Sequence, residues 1–432
     1  MTLYDSKYRL KFEQGELPNG LRFVFAPDDG APVAASVLLY DVGARNEDPG
    51  KTGFAHLFEH MMFQGSANVP REMHFKHVEA NGGVCNAFTS FDVTVYFELM
   101  PSSKLPLALW LEADRMQSLD LSQQNLDNQR AVVKEERRLA VDNKPYAPAR
   151  ERLREIAYDS FANQHSIIGY MEDIDRASLS EFQEFFRTYY APNNALLVVA
   201  GSFDPRDAMK LIEELFGGAS RRPDPRPPDV NESNRSAERR ETIHDPLANV
   251  PGLAVAWKAP DRSHPDAEAL SMAAEILFGG SASRIYQRLV KKDALAVSVS
   301  GYLEMRRGPS LFHFFALHRP DVDPTDIERA VYDEFANFAL NGPNDQEVER
   351  ARARVLAQRL GGLSIYGLQS PLGKALALGE AGLFDGDPDQ ANLRLDRALT
   401  LTPSSMKEAV ARWLIDDGER ATLHIGAGEG GS

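Results

Sequence analysis

The sequence predicts an α+β protein of two homologous domains, each a mostly antiparallel β-sheet flanked by α-helices. Three observations lead there. The 432-residue length exceeds what one hydrophobic core usually organises. Four prolines fall within residues 223–228, followed by a polar run to Arg240. The pattern of elements before that interruption recurs after it, about 220 residues later.

The elements follow in order. Pro18-Asn19-Gly20 is a turn, and Leu21–Phe25 alternates as a strand. After a second turn at Asp28-Asp29-Gly30, Val33–Tyr40 is a long apolar run, expected as a buried strand. Gly53–Phe63 switches to helical spacing. The Asn81-Gly82-Gly83 turn introduces Val84–Leu99, whose Thr, Val, Phe and Tyr content predicts strands. Leu105–Ser118 and Leu126–Asp142 read as helices. Ser178-Leu179-Ser180-Glu181 is a capping box opening a helix to Tyr190, and Asn194–Ala200 is a buried strand. In the second half, Leu253–Trp257 corresponds to Val33–Tyr40. Pro265–Phe278 is a helix placed like the one at 53–63. Thr402-Pro403 opens a late helix, and Thr422–Gly426 closes its half as Asn194–Gly201 closes the first. The expected domains are therefore residues 1–222 and 241–432, joined by a linker at 223–240.

Composition excludes several function classes. A formal net charge of -15 argues against nucleic acid as partner. No stretch of 18 apolar residues is present to cross a membrane, and Met1–Lys7 lacks an apolar signal core. The protein is expected to be soluble, in the periplasm if a signal peptide has been removed, or otherwise in the cytoplasm. The single cysteine, Cys85, excludes an intrachain disulfide.

The chemistry is concentrated in one helical turn, His56-Leu57-Phe58-Glu59-His60. Histidines four apart lie about 40° apart around a helix, on one face, with Glu59 roughly 60° from His56. Two imidazoles plus one carboxylate make a zinc site that keeps a position open for water. The order H-x-x-E-H is the inverted zinc-peptidase signature. The third ligand is expected from the pair Glu135-Glu136. These lie about 100° apart on a helix, so only one can face the metal. We assign His56, His60 and Glu136 as ligands of one zinc ion per chain, with Glu135 as the alternative to Glu136. Glu59, too close to the histidines to ligate comfortably, is assigned as the general base. The corresponding helix of the second half reads Leu270-Ser271-Met272-Ala273-Ala274-Glu275-Ile276 and has no histidine pair.

The flanking residues carry a resemblance. Val42–Glu47, Gly53–Ser66, Gly82–Ser90, Arg130–Glu136, Ile168-Gly169 and Tyr190–Ala195 together resemble the M16 (pitrilysin/insulysin) zinc metallopeptidases, in particular the M16B branch that includes mitochondrial processing peptidase. The resemblance implies a zinc-dependent endopeptidase acting on peptides or unfolded segments. It matches Glu136 to the third ligand. It implies that Asn86, Ala87 and Phe88 lie on an edge strand that pairs with substrate through main-chain hydrogen bonds. Cys85, alternating with Asn86, is expected to point away into the core. His74 and His77 are expected on a solvated helix face. His165 precedes a family loop and is a candidate for a contact near the site.

Two departures from the family pattern matter. The family usually has a Glu seven residues before the third ligand, where it helps orient the site; here Gln129 stands there. The family's second half carries an Arg and a Tyr seven apart that bind substrate carbonyls and the developing oxyanion. Here those positions are Val290 and Val297. Arg288 lies about 200° around a helix from position 290, and Tyr302 has the opposite strand parity to 297. The resemblance therefore implies a heterodimer in which a homologous M16B subunit supplies the Arg/Tyr pair. The alternatives are a self-sufficient homodimeric peptidase and a non-catalytic M16-like scaffold.

Overall fold

The computed structural model describes residues 9–233, 237–361, 364–415 and 418–428. Residues 234–236 of the expected linker lie outside that set. The strands are β1 (Glu13–Glu16), β2 (Arg22–Pro27), β3 (Val33–Tyr40), β4 (Val84–Thr89), β5 (Thr94–Pro101), β6 (Ala195–Gly201), β7 (Arg239–Asp245), β8 (Gly252–Ala259), β9 (Ala296–Glu304), β10 (Ser310–His318) and β11 (Arg420–Ala427). They form a six-stranded sheet ordered β1-β2-β6-β3-β5-β4 and a five-stranded sheet ordered β7-β11-β8-β10-β9. Apart from the extra β1, the two orders are the same. In each, one parallel pair, β2/β6 or β7/β11, sits in an otherwise antiparallel sheet. The sequence repeat is thus a repeat of topology.

The chain folds as two compact units. The first comprises residues 1–134, 166–228 and 358–393; the second comprises 135–165, 229–357 and 394–432. The units are not the two sequence halves. Each half contributes a helical segment, 135–165 or 358–393, to the other unit, for a reason visible in the strands. β3 (VAASVLLY) and β6 (ALLVVAG) are apolar on both faces, so both faces need cover.

In the first unit, Leu38, Tyr40, Leu197 and Val199 pack on one face against α1 (Phe54–Met61) and α3 (Leu105–Ser118). Val37, Leu39, Val95 and Val198 on the other face pack against Leu372, Ala375 and Leu378 of the helix Pro371–Phe384. In the second unit, Val255, Trp257 and Phe312 pack against the helix Pro265–Phe278. Ala254, Ala256, Leu423 and Ile425 pack against Ala149, Leu153 and Ile156 of α5 (Ala147–Ala157).

The helices expected at 105–118 and 265–278 are found with those bounds. The expected 126–142 helix divides into α4 (Gln123–Arg137) and a π-helical stretch, Arg138–Asp142. A further helix, α2 (Met73–Ala80), precedes β4. No helix among the described residues is long and apolar enough to cross a membrane.

Candidate metal centre

α1 is held at its N-terminus by three devices. Gly53 caps it at φ 84°, a left-handed conformation that favours glycine. The Glu47 carboxylate accepts hydrogen bonds from the Gly53 and Ala55 amides at 2.9 and 2.8 Å. These satisfy N–H groups that have no partner inside the helix and place negative charge at the positive end of its dipole. Thr52 donates its hydroxyl to Asp173 at 2.7 Å and accepts the Tyr170 amide at 2.9 Å. The loop at 166–170 is thereby bound to the start of α1. Inside the helix, Leu57, Phe58 and Met61 are buried, and the Phe58 ring lies 4.3 Å from that of Tyr190.

That burial turns the opposite face outward. His56 and His60 are half-buried, with ring centroids 4.9 Å apart. Glu136 stands on the last turn of α4, and one ligand atom from each of His56, His60 and Glu136 lies within 4.8 Å of the others. Donors around a tetrahedral zinc are roughly 3.4 Å apart, so these side chains fit such an ion after small rotations. The donor set, two imidazoles and one carboxylate, is that of a zinc site with an open coordination position. Glu135 points elsewhere. Its carboxylate, 59% exposed, pairs with Arg138 at 2.9 Å.

Glu59, one residue from His60, is 9% exposed. The Thr89 hydroxyl donates to its Oε2 at 2.6 Å. Beneath it, the Tyr96 and Tyr190 hydroxyls are 3.1 Å apart, and burial raises both phenols above their ordinary range. Thr89 had no role in the sequence reading, although it lies inside the motif segment Gly82–Ser90.

Among the described residues, β4 is the end strand of its sheet and pairs only with β5. Asn86 is exposed; Ala87 and Phe88 are half-buried. The Ser90 amide bonds the Val93 carbonyl at 2.8 Å, which sets the ladder: residues 84, 86 and 88 bond to β5. The main-chain groups of Cys85, Ala87 and Thr89 therefore point to the open edge. The Ala87 amide is covered by the Asn86 Oδ1 at 2.9 Å.

Comparisons with known proteins show the family of the chain. Residues 22–169 match the profile "Insulinase (Peptidase family M16)", and residues 176–355 match "Peptidase M16 inactive domain". The chain is 31% identical over 333 residues to the zinc protease PqqE of Helicobacter pylori, covering 76% of this chain and 75% of that protein.

The chain belongs to peptidase family M16.

It is also 26% identical to a probable mitochondrial-processing peptidase subunit beta of Arabidopsis thaliana, covering 80% of this chain and 66% of that one. The crystal structure of a protease from Helicobacter pylori superposes with a TM-score of 0.90 at 27% identity, covering 97% of this chain and 100% of that chain. The periplasmic protease PqqL from Escherichia coli shares the fold, with a TM-score of 0.77 at 19% identity, over 96% of this chain and 47% of that one.

The M16 departures have definite places. Gln129, two turns before Glu136 on α4, is buried at 7% exposure. Val290 lies on a π-helical stretch, Tyr286–Lys292, against the second unit's core. Val297 is 57% exposed on β9, the end strand of the second sheet. Arg288 is engaged with Asp333 at 3.0 Å and Asp293 at 3.4 Å. The parity argument for Tyr302 does not hold. The β9/β10 register shifts between Leu317 and His318, whose partners are Ser298 and Ala296, so Val297 is the extra residue of a bulge. The bulge interrupts alternation, and Val297 is exposed together with Ser298, Ser300 and Tyr302.

The other histidines separate. His74 is not on a solvated face: it is 4% exposed, with Nε2 3.1 Å from Glu98. An unseen buried carboxylate on β5 draws that helix face inward. His77 is half-exposed. His165 is buried, stacked on Phe161 at 4.4 Å and bonded through Nδ1 to the Phe161 carbonyl at 2.6 Å. Cys85 packs beside Met73 and Val78, and burial pushes its thiol up to about 12, far from a reactive thiolate.

Proposed function

We propose that this chain is a zinc-dependent endopeptidase subunit that hydrolyses peptides or unfolded segments and works with a homologous M16 partner. The observation that carries the reading is the convergence of His56, His60 and Glu136 within 4.8 Å beside Glu59. Zinc held by those three side chains would supply a Lewis acid for the scissile carbonyl and acidify water at its open position. Glu59 takes the proton of the attacking water and returns it to the leaving amine. The outward main-chain groups of Cys85 and Thr89, with the Ala87 carbonyl, hold an extended peptide without reading its side chains, which gives broad sequence tolerance. A folded protein has no free strand to offer that edge. The names of the relatives, zinc protease and processing-peptidase subunit beta, support the chemistry and the use of more than one subunit.

The partner is required because Val290 and Val297 carry no donor for the oxyanion. Each such missing donor costs about 100- to 1000-fold in turnover elsewhere. One observation favours a second reading, a self-sufficient homodimer: the bulge at Val297 leaves Tyr302 52% exposed on the same strand.

The test is cleavage of an unstructured, fluorescence-quenched peptide by the zinc-loaded chain, alone and mixed with a homologous chain that carries the Arg/Tyr pair. Stimulation by that chain is expected. Full activity alone, unchanged by the partner and lost in Tyr302→Phe, sinks the heterodimer in favour of the homodimer. Glu59→Gln is expected to keep stoichiometric zinc and lose turnover; retained turnover removes Glu59 from the base role.

A further inference from the structure

Resting on the peptidase reading, we propose that Thr89 is the positioning residue for Glu59, holding the base carboxylate in its working orientation from the strand that binds the substrate.

The last torsion of a glutamate is soft, so packing alone does not fix its carboxylate plane. Here one oxygen is fixed. Thr89 Oγ1 donates to Glu59 Oε2 at 2.6 Å, the short distance of a hydroxyl bonded to a charged acceptor. A proton count shows where that hydroxyl points. Thr94 Oγ1 donates its only proton to the Val42 carbonyl at 2.9 Å, so toward Thr89 it can only accept. The Thr89–Thr94 separation is 3.5 Å, too long to compete with a 2.6 Å bond to a carboxylate. The Thr89 proton therefore belongs to Glu59. Threonine is branched at Cβ, which restricts χ1 and keeps the hydroxyl from swinging away.

Thr89 also belongs to the open register of β4. Its side chain lies on the same face as that of Ala87, which packs against the core cluster containing α1. Its main chain, with those of Cys85 and Ala87, faces the edge where an extended peptide would pair. One residue thus touches both the peptide register and the base.

The experiment uses the full zinc-loaded chain, with its partner if the partner proves necessary, and three variants. Thr89→Val removes the hydroxyl at nearly constant volume. It is expected to keep zinc stoichiometry, leave KM within about twofold, and lower kcat roughly 10- to 100-fold, the range for losing one hydrogen bond to a charged group. Thr89→Ser is expected to restore most of kcat, which a purely structural role would not predict. Glu59→Gln serves as the reference for loss of the base. Full kcat in Thr89→Val overturns the inference while leaving the peptidase reading intact. Loss of zinc or of the folded state in Thr89→Val, unrescued by serine, assigns Thr89 a structural role and also overturns it. Absence of chelator-sensitive cleavage by the unaltered protein overturns the peptidase reading, and this role with it.

Discussion

Gly53 and Gly169 meet backbone to backbone, with no room between them for a side chain. A Cβ built on Gly169 would lie 2.6 Å from the Gly53 Cα and 2.5 Å from the Thr52 carbonyl. Both glycines have positive φ, 84° and 81°. The contact seats the 166–170 loop on the first turn of α1, the helix that carries His56 and His60. Gly169→Ala is expected to cost about 3 kcal/mol or more, combining left-handed strain with a backbone clash. It should lower the melting temperature and zinc content together. Gly50→Ala is the control. Gly50 has φ 82°, but nothing lies within 4 Å of its added Cβ, so it should cost only about 1 kcal/mol and leave zinc unchanged. Equal effects of the two variants would show that the contact does not organise the site.

The adjacent glutamates should separate cleanly. Glu136→Gln removes the proposed third ligand and is expected to weaken zinc by more than the roughly 10- to 100-fold typical of a supporting residue. Glu135→Gln breaks only an exposed pair with Arg138, worth about 0–1 kcal/mol, and should leave zinc affinity unchanged. Chelator competition measures both. A larger loss in Glu135→Gln would reverse the ligand assignment.

Much of this was legible in local sequence. A turn such as His56–His60 and a run such as Val33–Tyr40 carry their period and capping signals within a few residues. What was not legible depends on distant segments. The exchange of α5 and the helix Pro371–Phe384 follows from the two-faced apolarity of β3 and β6, which calls for cover without naming its source. His74 reads as a surface residue until Glu98, Glu112 and Arg115 are seen beside it. Val297 falls at a bulge that no single-strand pattern announces, so counting parity from 297 to 302 misplaced Tyr302. Thr89 was within a noted motif, but its bond to Glu59 joins residues 30 apart in sequence.

The buried cluster around Arg115 should give stability a pH optimum. Arg115 Nε bonds Glu112 at 2.9 Å and its Nη2 lies 3.6 Å from Glu98, while His74 bonds Glu98. Burial lowers His74 to about 3 from 6.5. The unfolded state then binds the extra proton between pH 3 and 6.5, so this term rises with pH and is complete above 6.5. Burial pushes Glu112 up to about 8 from 4.5, because one guanidinium serves two carboxylates. Here the folded state holds the extra proton, so this term falls between pH 4.5 and 8. The two slopes oppose each other from about pH 4.5 to 6.5. Melting temperature should therefore fall below that window and again from 6.5 towards 8. Glu98→Gln removes the second carboxylate, can still accept from His74, and should flatten the alkaline fall. An unchanged alkaline slope in that variant would exclude this cluster as its source.

Gln129→Glu tests whether the neutral amide on α4 weakens the metal site. A carboxylate two turns before Glu136 would add negative charge near the ligands, and supporting carboxylates commonly change metal affinity about 10- to 100-fold. Position 129 is buried at 7% exposure, so the added charge is costly when no cation is present. The two effects have opposite signs in the two states. The metal-free variant should melt below the metal-free parent. With zinc, the added charge is neutralised, and the variant should melt at or above the zinc-loaded parent. Chelator competition should show tighter zinc by about tenfold. If the metal-free form is destabilised and zinc affinity does not rise, the carboxylate at 129 is not coupled to the ligands, and the glutamine is no handicap to this chain.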